Sequence, residues 1–173
     1  MTPVSRRGFV AGAVVASVAA ATLRPAAVAQ TGNPALLYNV DLGAGARFAA
    51  HAERLGTQAL ALEGDRVRQI QTLLAHEPSA LFGVSRNADE YLVSEIAGQA
   101  GYRRLSLIQH RAAGDIVPSC APEGVAIATL ARLAGGRWPE AFAELAIGGI
   151  ERCEPVSLTA PSEPAFSWVL MRG

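Results

Sequence analysis

The chain has 173 residues, half of them hydrophobic, and its 15 basic side chains balance 15 acidic ones. Every one of those basic residues is an arginine. The lack of lysine excludes a Walker A phosphate loop, a pyridoxal Schiff base, a serine–lysine dyad and a Tyr-x-x-x-Lys dehydrogenase pair.

Residues 1–29 have the three-part organisation of an export signal. A polar start contains Arg6 and Arg7, an uncharged apolar run covers residues 9–23, and Ala27-Val28-Ala29 provides small residues before a cleavage site at Gln30. The apolar run would be about 22 Å long as a helix, whereas the hydrocarbon core of a bilayer is about 30 Å thick. We therefore expect a cleaved signal, and no stable membrane span in the mature chain.

The segment Ser-Arg-Arg-Gly-Phe-Val-Ala at residues 5–11 resembles the twin-arginine (Tat) consensus. Val10 and Ala11 depart mildly from the usual residues, and an ordinary secretory signal that carries two arginines is the alternative. The resemblance implies a periplasmic protein that crosses the membrane folded, with the Tat translocase and signal peptidase as partners. A cofactor inserted before export, a co-exported subunit or rapid folding would each account for this route.

Residues 30–173 predict a single α/β domain. It carries 12 basic and 15 acidic side chains, a balance that offers no general attraction to nucleic acid. Apolar runs at 36–40, 58–62, 80–84 and 104–108 predict strands, and helical periodicity at 44–55, 66–75 and 88–100 predicts the helices between them.

Short links between these elements favour a three-layer, Rossmann-like or flavodoxin-like fold with a mostly parallel sheet. Residues 111–121 are expected to form a loop, followed by helices at 122–134 and 139–147. Residues 155–158 and 166–171 predict a C-terminal β-hairpin.

Polar residues follow each of the four predicted strands. In such sheets, ligands bind beyond the carboxyl ends of the strands. We therefore expect a ligand-binding site at this edge, although polar loops are common there and Asp65 or Asn87 would also suit helix caps. The candidate residues are Asp41, Glu63, Asp65, Ser85, Arg86, Asn87, His110 and Arg111.

One interpretation of this edge is a nucleotide site. Gly43-Ala44-Gly45 opens a helix after a strand, and Glu63 follows twenty residues later, an arrangement that resembles the Rossmann fingerprint. Phe48 occupies the position of the third glycine, and Asp41 would bring negative charge towards the phosphates. The match to the fingerprint is therefore incomplete.

A second interpretation is hydrolytic, with Ser85 as nucleophile, His110 as base and Asp41 or Asp65 as the orienting acid. The sequence around Ser85 lacks the second glycine of the G-x-S-x-G elbow. A third interpretation is an anion site in which Arg86, His110 and Arg111 present cationic donors to a carboxylate or phosphate.

The two cysteines, Cys120 and Cys153, are candidates for a disulfide in an oxidising compartment, and two inert thiols are the alternative. They lack metal-ligand spacing, so no metal site is predicted. The favoured function is a non-catalytic exported domain that binds a small anionic ligand or accompanies a co-exported partner. A small enzyme that uses His110, or a nucleotide-binding domain loaded before export, remains the alternative, and no cofactor is identified.

Overall fold

Strands and helices alternate along the chain in nearly the predicted order. The computed structural model of the protein describes residues 32–120, 124–148 and 163–173, so the predicted signal lies outside the described residues. The elements are β1 (Ala35–Tyr38), α1 (Gly43–Arg54), β2 (Ala59–Ala61), α2 (Arg66–Leu74), β3 (Ala80–Ser85), α3 (Asn87–Gln99), β4 (Tyr102–His110), β5 (Ile116–Cys120), α4 (Val125–Ala134), a 3-10 turn (Gly135–Arg137), α5 (Trp138–Ile147) and β6 (Ala165–Arg172).

Local chemistry explains where the first two helices end and begin. Gly56, just after α1, has φ of 83°, in the left-handed region where glycine is favoured because it has no β-carbon. Asp65 caps α2, since its carboxylate accepts a hydrogen bond from the Arg68 amide at 3.1 Å. Both features confirm helix boundaries predicted from the sequence.

The six strands form one sheet in the order β2-β1-β3-β6-β4-β5. β1 is parallel to β2 and β3, whereas β6 is antiparallel to both of its neighbours and β5 is antiparallel to β4. The sheet is therefore mixed, and the prediction of a mostly parallel sheet is wrong. Strands β1 to β4 do share one direction, but two strands that follow them in the chain join the sheet in the opposite sense.

The last strand, β6, occupies the centre of the sheet instead of forming a hairpin at its edge. Ser167 on β6 is in register with Val84 on β3 and with Ile108 on β4, so both edges of the strand are already paired. The neighbours of β6 among the described strands are therefore β3 and β4, and residues 155–158, the other strand of the predicted hairpin, lie outside the described residues. The predicted loop at 111–121 also differs, because it contains β5.

Helices cover both faces of the sheet, which confirms the predicted three-layer arrangement. On one face, α1, α4 and α5 pack over a core that contains the ring cluster of Phe48, Phe82 and Phe142. On the other face, α2 and α3 contribute Ile70 and Val93 to a second core. Side chains alternate between the faces along each strand, so neighbouring residues of one strand enter different cores.

The chain reverses its direction across the sheet at β1. From β1 it passes to β2 on one side, and from β2 it crosses to β3 on the other side. Because the crossover helices lie on opposite faces, the carboxyl ends of β1 and β3 meet at the point where the strand order reverses, which is the usual ligand position in sheets of this kind. This place is called the β1/β3 crevice below and is bordered by residues 39–42 and 85–87.

Candidate functional site

A buried polar network fixes the two sides of the β1/β3 crevice. Asn39 is 1% exposed, and its side-chain amide donates to a carboxylate oxygen of Asp89 at 2.6 Å. The other oxygen of Asp89 forms an ion pair with Arg66 at 2.7 Å. The Asn39 side-chain oxygen accepts from the Asp41 amide at 2.9 Å, which shapes the loop after β1. The crevice is therefore bordered by loops held in place before any ligand arrives.

The first turn of α3 carries two buried carboxylates, Asp89 and Glu90. Glu90 pairs with Arg104 at 2.6 Å and accepts a hydrogen bond from Ser94. Negative charge in the first turn of a helix is stabilised by the helix dipole. The charges of both carboxylates are therefore balanced by arginines, Arg66 for Asp89 and Arg104 for Glu90.

Arg86 lies at the entrance to α3, in the N-cap position, and its side chain is exposed. Among the described residues, no side chain caps this helix and Arg86 forms no ion pair. The first amides of α3, from Asn87 to Asp89, have no acceptor among the described residues and directly follow Arg86 in the chain. The predicted residues Arg86 and Asn87 thus meet at one end of the crevice.

The entrance to α1 is occupied by a carboxylate of the chain itself. Glu163 accepts a hydrogen bond from the Gly43 amide at 3.3 Å. A β-carbon at Gly45 would collide with the carbonyl oxygen of Asn39, so this glycine permits the close approach of α1 to β1. Phe48 is fully buried in the core. The glycines that resemble a Rossmann fingerprint therefore have a packing role, and a phosphate at this helix would have to displace Glu163.

The acidic residues that follow β2 lie apart from the crevice. Glu63 and Asp65 are exposed at the end of the edge strand, with β1 between them and β3. Asp65 serves as the cap of α2 and pairs weakly with Arg68 at 3.8 Å. Asp65 therefore caps a helix in the described structure, as the alternative to a ligand-binding role predicts. Asp41 is exposed beside the crevice and makes no described contact with His110.

Ser85 and His110 face opposite sides of the sheet, so they do not form the predicted pair. Ser85 is fully buried, and its hydroxyl accepts from the indole of Trp168 at 2.9 Å, in the core under α2 and α3. His110 instead stacks on Trp138 of α5, with ring centroids 3.5 Å apart and 5° between the planes. The alternation of side chains along strands separates the two residues, and Ser85 is not placed as a nucleophile for His110.

His110 is instead the centre of a chain of three polar side chains. Its Nε2 lies 2.8 Å from the Ser167 hydroxyl, and its Nδ1 lies 3.0 Å from a carboxylate oxygen of Asp115. A carboxylate only accepts hydrogen bonds, so the proton of the neutral ring is assigned to Nδ1 and Nε2 accepts from Ser167. His110 is 0% exposed and Ser167 is 1% exposed, whereas the Asp115 side chain is 26% exposed.

Burial lowers the pKa of His110 below its ordinary value, and the hydrogen bond and charge of Asp115 oppose this effect only in part. The ring is therefore held neutral around pH 7. Since both ring nitrogens are engaged and the side chain is buried, His110 presents no cationic donor to a ligand. Of the three predicted donors, His110 is thus engaged within the fold, whereas Arg86 and Arg111 are exposed after β3 and β4, which have β6 between them.

The partners of His110 were missed in the sequence because one follows it in a turn and the other lies 57 residues away. Ser167 stands in a mostly apolar strand, between Phe166 and Trp168. A small polar residue inside a buried strand signals that a polar partner is needed, since an unpaired hydroxyl in a core is costly. That signal indicates a partner but does not identify it.

Two hollows among the described residues flank the edge strand β2, away from both polar clusters. One has a volume of about 450 Å³ and an apolar lining that includes Leu60 and Leu73. The other has a volume of about 380 Å³ and lies between Tyr38 and α1. Neither hollow is lined by Arg86 or His110.

Three further features bear on the sequence predictions. No described group of three or more histidine, cysteine or acidic residues is arranged to hold a metal ion. None of the described helices has both the length and the apolar character needed to cross a bilayer. The candidate disulfide of Cys120 and Cys153 lies outside what the structure describes, because residue 153 is not among the described residues.

The chain matches no protein-family model. It likewise matches no curated protein and no solved structure. A functional assignment therefore rests on the geometry of the sheet edge and on the sequence.

Proposed function

We propose that this chain is an exported domain that binds a small anionic ligand in the β1/β3 crevice and carries out no chemistry at that site. The observation that carries the proposal is the exposed Arg86 beside the uncapped entrance to α3, at the place where strand order reverses. The order β2-β1-β3 is the one in which flavodoxin-like sheets bind their ligand between β1 and β3.

The charges in the crevice favour an anion at α3 and disfavour one at α1. Glu163 already fills the entrance to α1, and Asp41 adds negative charge on that side. At α3, three amides and the Arg86 guanidinium have no partner among the described residues, and both kinds of donor form strong hydrogen bonds with carboxylate or phosphate oxygens. A ligand with one anionic group therefore fits at α3, with its remainder extending along the crevice.

The buried network around Asn39 supports a binding role. Asn39, Asp89 and Arg66 hold the loop after β1 against α3 without using Arg86 or the first amides of that helix. Binding then requires little ordering of the protein, which reduces the entropic cost of association. The twin-arginine segment at residues 5–11 supports a site that is exported already folded.

The proposal is tested by titrating the ¹⁵N-labelled protein with inorganic phosphate and following the amide resonances. We expect shifts at Asn87, Ala88 and Asp89, and binding at least about tenfold weaker in Arg86→Gln, because a hydrogen bond to a charged group contributes roughly 1.5–3 kcal/mol. Arg54→Gln is the matched control, an exposed arginine at the far end of α1. Shifts elsewhere, or unchanged affinity in Arg86→Gln, would contradict the proposal.

A further inference from the structure

The Ser167–His110–Asp115 chain has the connectivity that serine nucleophiles require. The hydroxyl approaches Nε2 of the imidazole and the carboxylate approaches Nδ1, at 2.8 and 3.0 Å, within hydrogen-bond reach on both sides. A carboxylate on Nδ1 fixes the tautomer in which Nε2 can accept the serine proton. We propose that Ser167, His110 and Asp115 form a nucleophilic triad that hydrolyses small carboxylic esters when Trp138 moves off the imidazole.

The three residues come from elements that hold them in register. His110 ends β4 and pairs with Ala165 across the strands, which places it two residues from Ser167 on the neighbouring strand β6. Both side chains face the layer of α5, where Trp138 stacks on the imidazole. Asp115 reaches Nδ1 from the turn before β5. The distance between nucleophile and base is therefore set by strand pairing, whereas the acid is supplied by the connection between β4 and β5.

Burial closes the triad in this structure. Ser167 is 1% exposed and His110 is 0% exposed, so an ester cannot reach the hydroxyl, and the proposal assigns the opening movement to the indole that stacks on the imidazole. Trp138 directly follows the 3-10 turn Gly135–Arg137, and Gly135 has φ of 53° and ψ of −128°. Two consecutive glycines before the indole give this segment the backbone freedom that displacement of the indole requires.

The reaction follows from the protonation states. As the Ser167 oxygen attacks the ester carbonyl carbon, its proton passes to Nε2, and Asp115 stabilises the imidazolium through Nδ1. The C–O bond to the alcohol breaks, and the alcohol takes the proton from Nε2. Water then adds to the acyl carbon, gives a proton to Nε2, and releases the carboxylic acid while the proton returns to Ser167. The neutral imidazole described above is the form that acts as the base.

The test is covalent labelling of the purified protein with a fluorophosphonate, which forms an O–P bond to an activated serine and releases fluoride. We expect one adduct, mapped by mass spectrometry to Ser167 and absent in Ser167→Ala. The rate should fall about 100-fold or more in His110→Gln, since general-base assistance typically contributes 10²–10⁴-fold. The labelling rate should rise at least about tenfold in Trp138→Ala, because alanine leaves the imidazole uncovered. A tenfold rise corresponds to a barrier lowered by about 1.4 kcal/mol.

Ser106→Ala is the matched control, because Ser106 is also a buried strand serine and its hydroxyl has no hydrogen-bond partner among the described residues. Its labelling rate should equal that of the unchanged protein. An adduct that persists in Ser167→Ala, a rate unaffected by His110→Gln, or no adduct in the unchanged protein over hours of exposure would overturn the triad. The phosphate titration is independent of this result, because neither Ser167 nor His110 borders the crevice.

Discussion

At the scale of single residues, Gly83 decides whether β3 and β6 can lie side by side. It pairs with Trp168 across the strands, and a β-carbon at this glycine would overlap the indole ring. Trp168 is fully buried, and its indole donates to Ser85. The glycine is therefore required by a close approach of a large side chain, and its own backbone φ is not unusual.

We expect Gly83→Ala to destabilise the protein by about 3 kcal/mol or to prevent folding, because overpacking a closed core costs roughly 1–3 kcal/mol and the indole cannot retreat. Gly98→Ala is the control, since a β-carbon there meets nothing within 4 Å and the residue is exposed on α3. It should stabilise the protein by roughly 0.5–1 kcal/mol. Urea unfolding of both variants measures the two changes in the free energy of unfolding. Equal changes in Gly83→Ala and Gly98→Ala would show that the Trp168 indole has room to shift.

The burial of His110 makes stability depend on pH in a defined direction. Its pKa is lowered in the folded protein, so the unfolded chain binds the proton more readily. The stability associated with this residue is complete above the unfolded value of about 6.5 and is lost as the pH falls from there towards the lower folded pKa.

His110→Gln should remove this dependence. Between pH 7 and 5.5, the free energy of unfolding of the unchanged protein should fall more than that of the variant, by at most about 1.4 kcal/mol per pH unit for one proton. Denaturant unfolding at several pH values provides the measurement. Parallel curves for the two proteins would mean that His110 titrates equally in both states.

At the scale of elements, β6 connects the parallel strands β2, β1 and β3 to the pair formed by β4 and β5. It pairs over most of its length with β3 on one side and β4 on the other. It also supplies Trp168 and Val169 to the two cores on opposite faces. Without this strand, each part of the sheet would expose an unpaired edge and an open core.

Removal of residues 164–173 should therefore abolish the folded state, and a synthetic peptide of residues 163–173 should restore it on addition. The same peptide with Trp168→Ala is the control and should bind at least about tenfold more weakly, since loss of a buried tryptophan costs roughly 3–5 kcal/mol. Circular dichroism and tryptophan fluorescence follow the recovery. A shortened chain that stays folded would contradict the central role of β6.

Local patterns were sufficient to predict the helices and strands up to His110, because their apolar periodicity and their glycine and aspartate caps lie within a few residues of each other. The order of the sheet was not predictable in this way. Pairing of β6 with β3 joins Phe82 to Val169, and no local pattern specifies a contact between residues so far apart. For the same reason, the sequence indicates His110 as a candidate residue but does not indicate its partner Ser167, which lies 57 residues away.

The candidate site could be predicted only where it depends on local sequence. Arg86 and Asn87 follow a strand and begin a helix, which is a local property, and they do border the crevice. The assignment of Ser85 to His110 failed because it required knowing which face of the sheet each side chain occupies. Asp115 lies between β4 and β5, in the segment that the sequence predicts as a loop. In a loop, the spacing between residues does not indicate where a side chain points.

At the scale of the whole molecule, the two polar clusters belong to different parts of the sheet. The crevice lies between β1 and β3, where the chain reverses across the sheet, and the chain of Ser167, His110 and Asp115 lies beyond it at β6 and β4. A ligand bound beside Arg86 therefore need not contact His110. The sheet edges are short or interrupted, with three residues in β2 and Pro118 inside β5, which limits pairing with other chains.

The central claim, an exported domain that carries a small anion, is tested most directly by native mass spectrometry of the protein recovered from the periplasm after expression with its own residues 1–29. We predict a chain that begins at Gln30 and carries the added mass of one small molecule, which is lost in Arg86→Gln and retained in Arg54→Gln. A bound second polypeptide would instead identify a co-exported partner. A bare chain in the periplasm, or an uncleaved chain that stays in the cytoplasm, would contradict the account.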